Sequence, residues 1–334
     1  MNIRIKRKFL AIVLSTACCG LVQGNSTKIT LTGGYPTLSV KTKIEKNVSN
    51  LLLEFKKSYN DDTYSLNLGT ISIEPTARNE LIDIWTDLKF YCAESVFKGM
   101  LLKTQSGYEL RNIPVTMNDR TAPIVVCFNT RGDINGISFA IEEAVYEHIM
   151  KYKNISSVNE VQEETRKKII VNFLECMRTA YMTKNIDFIK KIYDDHALII
   201  VGRSIRGSNT KSVQLHDSNK EVFYAPDKDR TEYIRLTKDE YVNRLEQVFK
   251  NNRKIQLDFY DIEVAVHPKE RLNNLYGVKL IQKWEADKYG DTGYLFLAVS
   301  FKENEDPIIW VRTWQDARTT DPNDRIGFED LKFK

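Results

Sequence analysis

Tyr193-Asp194-Asp195-His196-Ala197-Leu198-Ile199-Ile200-Val201-Gly202 is the stretch on which the reading of the fold turns. The polar Asp-Asp-His step ends one element, and the apolar, β-branched run after it begins a strand. Just upstream, Asn185-Ile186-Asp187 starts a short helix that carries Ile189, Ile192 and Tyr193. Before that, Ile169, Ile170, Phe173, Leu174, Met177, Ala180 and Tyr181 recur at three- and four-residue spacing, the buried face of a long helix. Downstream comes a polar stretch, 203–229, with a hairpin expected at Glu221–Tyr224, and then a strand at Glu232–Leu236. Thr237-Lys238-Asp239-Glu240 is a capping box, in which threonine oxygen and glutamate carboxylate each satisfy an orphan amide. Tyr241, Val242, Leu245, Val248 and Phe249 form the apolar face of the helix it opens. Four long strands follow, at 255–266, 276–286, 293–302 and 307–314, with Gly290-Asp291-Thr292-Gly293 as a turn.

The half before this is also α+β. Asn25–Leu38 has strand and turn character. Ile44, Val48, Leu51, Leu52 and Phe55 mark one helix; Pro75, Leu81, Ile84, Trp85 and Leu88 mark a second. Strands are expected at 90–104, 107–117, 121–130 and 134–141, an antiparallel meander closed by a helical turn at Ala144–Met150. The polar run 151–162 separates the halves. The organisation is therefore a signal peptide at 1–24, an α+β domain at 25–152, a linker at 153–162 and a second α+β domain at 163–334.

Residues 1–24 explain the composition. The chain has 334 residues and a net charge of +4, and Arg4, Lys6, Arg7 and Lys8 account for all of that excess. What remains is neutral in each half, which argues against a generic nucleic-acid or polybasic lipid binder, though not against a local basic patch. Basic Met1–Lys8, apolar Phe9–Val22 and Val22-Gln23-Gly24 read as an export signal, too short to span a bilayer. An exported, periplasmic, cell-surface or extracellular location follows. Ser15-Thr16-Ala17-Cys18 resembles a bacterial lipobox that lacks its leucine, so a lipid at Cys18 or Cys19 is the alternative. No later segment is apolar enough for a span. Cys92, Cys127 and Cys176 form no disulfide framework or metal spacing, though a Cys92–Cys127 bridge is an option. Asn25, Asn47 and Asn154 match the glycosylation acceptor pattern.

Long helix, short helix (Lys184-Asn185-Ile186-Asp187-Phe188-Ile189), a strand entered through Tyr193–Ala197, a third helix and a curling antiparallel sheet together resemble the nuclear transport factor 2-like superfamily over about 163–316. In detail the chain looks like secreted members from Bacteroidetes-type bacteria. The first half is similar in order, as a shortened, cystatin-like relative would be. The resemblance implies a strongly bent sheet around the long helix, an internal pocket, and pairing of copies through the outer sheet face. The superfamily includes ketosteroid isomerases and dehydratases, whose base and oxyanion tyrosine would fall at Val201 and Met177. Neither can move a proton.

Other chemistry is thin. Adjacent Asp195 and His196 face opposite ways on a strand. His216, Asp217, Asp227 and Asp229 lack a cation-binding register, and His148 and His267 read as surface or strand-end residues. Neither metal nor cofactor is expected. Alternation places Val278, Leu280, Gln282 and Trp284 on one strand face, Tyr294 and Phe296 on another, and Ile308, Trp310, Arg312 and Trp314 on a third. Tyr181, Trp284, Tyr294, Arg312 and Trp314 are the candidate pocket residues for an acidic, planar or apolar ligand. The expected function is a non-catalytic binding or interaction protein using the pocket or the outer sheet face. An isomerase-, dehydratase- or hydrolase-type enzyme with a different pocket set is the alternative.

Overall fold

The structure, a computed structural model, describes residues 26–61, 65–117, 120–151, 160–205, 230–269, 272, 274–301 and 306–331. The export signal, Cys18, Cys19, Asn25, Asn154, most of the linker, His216, Asp217, Asp227, Asp229 and the 221–224 hairpin lie outside the described residues.

The first half runs β1 (Lys28–Thr32), α1 (Leu38–Asn60), α2 (Pro75–Leu88), β2 (Val96–Lys103), β3 (Gly107–Met117), β4 (Arg120–Asn129), β5 (Ile134–Phe139) and α3 (Glu143–Lys151). β2 to β5 form the expected antiparallel meander. β1 adds a fifth strand at the edge, parallel to β2, with Lys28 opposite Val96 and Thr32 opposite Met100. Alternation in Lys-Ile-Thr-Leu-Thr buries Ile29 and Leu31 against α1. Asn47 is buried and bonds Ser72 and Gly132, so it is unavailable for glycosylation.

The second half runs α4 (Glu160–Met182), α5 (Ile186–Ile192), β6 (Tyr193–Ile205), β7 (Arg230–Leu236), α6 (Lys238–Asn251), β8 (Ile255–Val266), β9 (Leu275–Ala286), β10 (Gly290–Ser300) and β11 (Ile308–Asp316). Its six-stranded sheet has the order β7-β6-β11-β10-β9-β8, antiparallel except for β6 against β11. The order of helices and strands is the one read from the sequence, with three helices and one largely antiparallel sheet. The Thr237–Glu240 capping box is formed. α4 begins inside the expected linker, and the β9–β10 turn falls at 287–289 rather than 290–293, closed by the Ala286 amide donating to Tyr289.

One irregularity, at Trp310, alters the facing of β11 and shows in its pairing with both neighbours. Register shifts at Ala298/Val299 and at Ile309/Val311 turn Ile309 inward and leave Trp310 exposed. Trp310 therefore does not share a face with Arg312 and Trp314, as strict alternation had suggested. The Trp314 indole lies across Gly202 of β6 and Gly293 of β10, where an added Cβ would overlap the ring. Gly293→Ala should therefore destabilise the protein by about 1–3 kcal/mol through overpacking, read as a lower urea midpoint with unchanged slope.

The halves are joined by a single apolar cluster and by buried polar bonds. On α4, Glu175 holds Arg111 of β3 and accepts from the Ile141 amide at 2.9 Å. Arg178 donates to the Ala140 carbonyl at 2.7 Å, the Leu257 carbonyl at 2.6 Å and Asp258 at 2.6 Å. The Thr179 hydroxyl accepts from the Phe139 amide at 2.9 Å. The outer face of the second sheet is partly covered by the chain's own C-terminal segment. Ile326, Phe328 and Leu331 pack on Leu275, Phe296, Ala298 and Val311.

Candidate functional site

On the concave side of the second sheet, three tyrosines from three elements meet. The Tyr181 hydroxyl of α4 lies 3.2 Å from that of Tyr193 and 2.5 Å from that of Tyr241 on α6. Burial, aided by the neighbouring phenols, raises the pKa of Tyr181 and Tyr193, so both stay protonated. Three hydroxyls joined by two hydrogen bonds use two protons, which leaves one O–H to donate elsewhere. Arg312 of β11 stands over the Tyr241 ring, its guanidinium carbon 5.2 Å from the ring centre. It is only 7% exposed, Nη1 is buried without a partner, and no carboxylate pairs with it among the described residues. Trp284 and Phe249 meet Tyr181 edge-on, at 6.2 Å and 6.4 Å between ring centres, and Trp314 is buried in the same core.

The pocket residues expected from sequence thus divide. Tyr181, Trp284, Arg312 and Trp314 share the concave side. Tyr294 does not: it lies on the outer face under Arg325, whose guanidinium is 4.3 Å from its ring centre. The inward positions of β10 are the odd ones, so residue 294 points out with Phe296. Tyr193 and Tyr241 were missed. Their signal was a tyrosine at the end of one buried stripe and at the start of another, where a polar tip needs a partner. Asp291 was missed as well. It sits on the concave side, opposite Trp284 in the register, with Oδ2 accepting from Tyr289 at 2.6 Å and Oδ1 buried without a partner. Burial pushes its carboxyl pKa up.

The remaining candidates separate from this site. Met177 is buried and Val201 half-buried, as apolar positions of the core. Asp195 and His196 are exposed; Asp195 pairs with Lys238 at 2.7 Å, which lowers its pKa. His267 stands at the strand end, directly after β8, and is buried under Phe328, with 4.5 Å between ring centres.

Cys92, Cys127 and Cys176 are free thiols, so the 92–127 bridge is not formed. Burial, with nearby carboxylates, pushes the Cys127 thiol well up and Cys176 to about 12. Both should resist iodoacetamide in the native protein and react fully after unfolding, as mass spectrometry would show.

A concavity of about 410 Å³ lies between the halves, away from the tyrosine cluster. Ile84, Ala180 and Phe188 line it, and Glu80, Asp83, Asp87 and Asp187 stand around it. Burial raises the carboxyl pKa of Glu80 and Asp87.

No family model matches the chain, and no curated protein does. Solved structures do. The chain is similar to Bd1075 of Bdellovibrio bacteriovorus at 14% identity and a TM-score of 0.33, over 56% of this chain and 58% of that one. It therefore spans little more than half the length of that protein. It is similar to ActVI-ORFA of Streptomyces coelicolor at 8% identity and a TM-score of 0.30, over 46% of this chain and 97% of that one. The beta subunit of benzoate 1,2-dioxygenase from Burkholderia mallei matches at 12% identity and a TM-score of 0.27, over 52% and 100%. Likeness at this level says nothing about activity.

Proposed function

We propose that this is an exported, non-catalytic binding protein whose cone receives a planar or apolar ligand bearing an acidic head group. The observation that carries the reading is Arg312: a buried guanidinium with an unpartnered Nη1 beside a tyrosine cluster that has one O–H to spare. Both groups donate, so the complementary ligand accepts. Asp291 acts on Arg312 at a distance, but no carboxylate among the described residues forms an ion pair with it, so a bound anion would be its direct partner. Aromatic Trp284, Phe249 and Trp314 supply the apolar wall. Val201 and Met177, at the positions of the isomerase base and tyrosine, support binding over proton transfer.

A screen of thermal stability against planar carboxylates and their neutral amide or alcohol counterparts tests this. The carboxylates should raise the melting temperature, because a ligand of the native state stabilises it by mass action, and the neutral forms should not. Equal shifts from both sets would remove the role given to Arg312.

Asp291 favours a second reading. A half-buried carboxylate with a raised pKa on the concave side is the kind of group that serves as a general base. In that reading the cone is an enzyme site of unfamiliar composition. Turnover of a bound carboxylate that is lost in Asp291→Asn, with binding retained, would replace the first reading with this one.

A further inference from the structure

The C-terminal segment crosses the outer face of the second sheet as a separate piece of chain. Residues 321–331 belong to neither sheet and hold only short 3₁₀ turns, at Pro322–Asp324 and Phe328–Asp330. Side chains seat it. Phe328 lies over Gly277 of β9, where an added Cβ would meet its ring. Its ring centre is 5.4 Å from that of Phe296 and 4.5 Å from that of His267. Ile326 and Leu331 complete the apolar contact with Leu275, Ala298 and Val311. Polar bonds fix the direction of the segment. Gln315 of β11 accepts from the Ile326 amide at 2.7 Å and donates to the Asp324 carbonyl at 3.0 Å. Arg325 pairs with Asp261 at 2.8 Å and Glu329 with Lys279 at 3.0 Å, two ion pairs of opposite polarity. The face is a groove with a notch at Gly277, and the structure shows what fills it.

We infer that this segment is an exchangeable arm, which docks on the outer face of a second copy as it does on its own. The chain leading to it allows the exchange. The Thr319 and Thr320 amides turn onto the Asp316 carbonyl, at 3.1 Å and 3.0 Å, and beyond them Asp321 to Asp324 are exposed. The stretch from Thr320 to Ile326 extends to at most about 20 Å, enough to cross to an adjoining molecule. A second copy is the partner because it carries the same groove and the same arm. An arm that fits its own groove fits an identical one, and two arms exchanged about a two-fold axis close the assembly. The contact is arm on sheet, since the arm roofs the apolar patch against sheet-on-sheet packing. An arm in its own chain competes at an effective concentration on the order of millimolar, so the dilute protein keeps its own arm. Exchange follows where a groove has lost its own arm.

Two full-chain variants separate arm from groove. Ile326→Ser with Phe328→Ser leaves an open groove and a disabled arm. Gly277→Ala with Lys279→Glu leaves an intact arm and a blocked groove. In sedimentation each alone should be monomeric, and the mixture should form a 1:1 complex. A labelled peptide of residues 321–331 gives a readout that needs only the first variant. It should bind that variant at least about tenfold more tightly than wild type, whose own arm competes. Equal binding to both, or binding to neither, overturns the inference. So does a mixture of the two folded variants that stays monomeric. Self-association of the first variant by itself would assign the face to sheet-on-sheet pairing and overturn the role of the arm.

Discussion

Glu175→Ala should destabilise the protein by about 3–5 kcal/mol, near the low end of that range, with the two halves losing structure together in urea. Glu175 is fully buried on α4, and both of its oxygens bind Arg111, with Oε1 also accepting the Ile141 amide. Arg111 itself is 4% exposed in its side chain and lies 4.2 Å from the centre of the Tyr146 ring. Burial works against its charge, and the carboxylates of Glu175 and Glu109 more than offset this, so its pKa is raised. Truncating Glu175 leaves a buried guanidinium with only Glu109, at 3.8 Å, for compensation. It also orphans the Ile141 amide. The second change tells desolvation from a general packing loss: Glu175→Ala with Arg111→Met should recover much of the stability, because the pair is costly mainly when broken. A loss under about 1 kcal/mol in the single variant would mean that the halves are held by apolar packing alone.

Arg312→Met should leave stability unchanged or raise it by about 1–2 kcal/mol, the opposite sign to the usual loss at a buried site. Methionine keeps the unbranched stem and drops the guanidinium. What disappears is a buried charge with an unpartnered Nη1 and no ion-pair partner among the described residues, although the Tyr241 ring at 5.2 Å, the neighbouring phenols and the Asp291 carboxylate favour the charge against burial. A residue that lowers the stability of its own fold and yet sits at the centre of a donor cluster fits a binding role, where stability is given up for function. If Arg312 were structural, the same change would lower the denaturation midpoint. Chemical unfolding of the ligand-free protein separates the two.

Much of the fold was legible because the helices and strands of the second half carry long, regular apolar stripes. Ile169 to Tyr181 needed only its period, whereas in β8 the inward positions switch from odd to even across Asp261, where the register shifts. The facing of β11 was not legible. A bulge inserts one residue, so Trp310 and Trp314, four apart and expected on one face, part company. Tyr294 failed for a related reason: alternation says which residues share a face but not which face is inside. The polar residues Glu175, Arg178 and Thr179 lie off the apolar stripe of α4, and nothing in their spacing marks them as buried. They are instead a second buried face, turned toward the first half, because α4 is enclosed on both sides. Tyr193 and Tyr241 came from segments read correctly as strand entry and helix start. That their hydroxyls meet Tyr181 depends on packing between elements distant in sequence, which no local pattern contains.

The central claim is that Arg312 is kept in the cone to hold an acidic ligand. Calorimetric titration of a planar aromatic carboxylate, such as 2-naphthoate, into the wild-type protein and into Arg312→Met tests it most directly. Saturable binding to wild type, weakened at least about tenfold in the variant, is the predicted result, since a charge-assisted hydrogen bond contributes about 1.5–3 kcal/mol. Binding of equal strength to both proteins would contradict it.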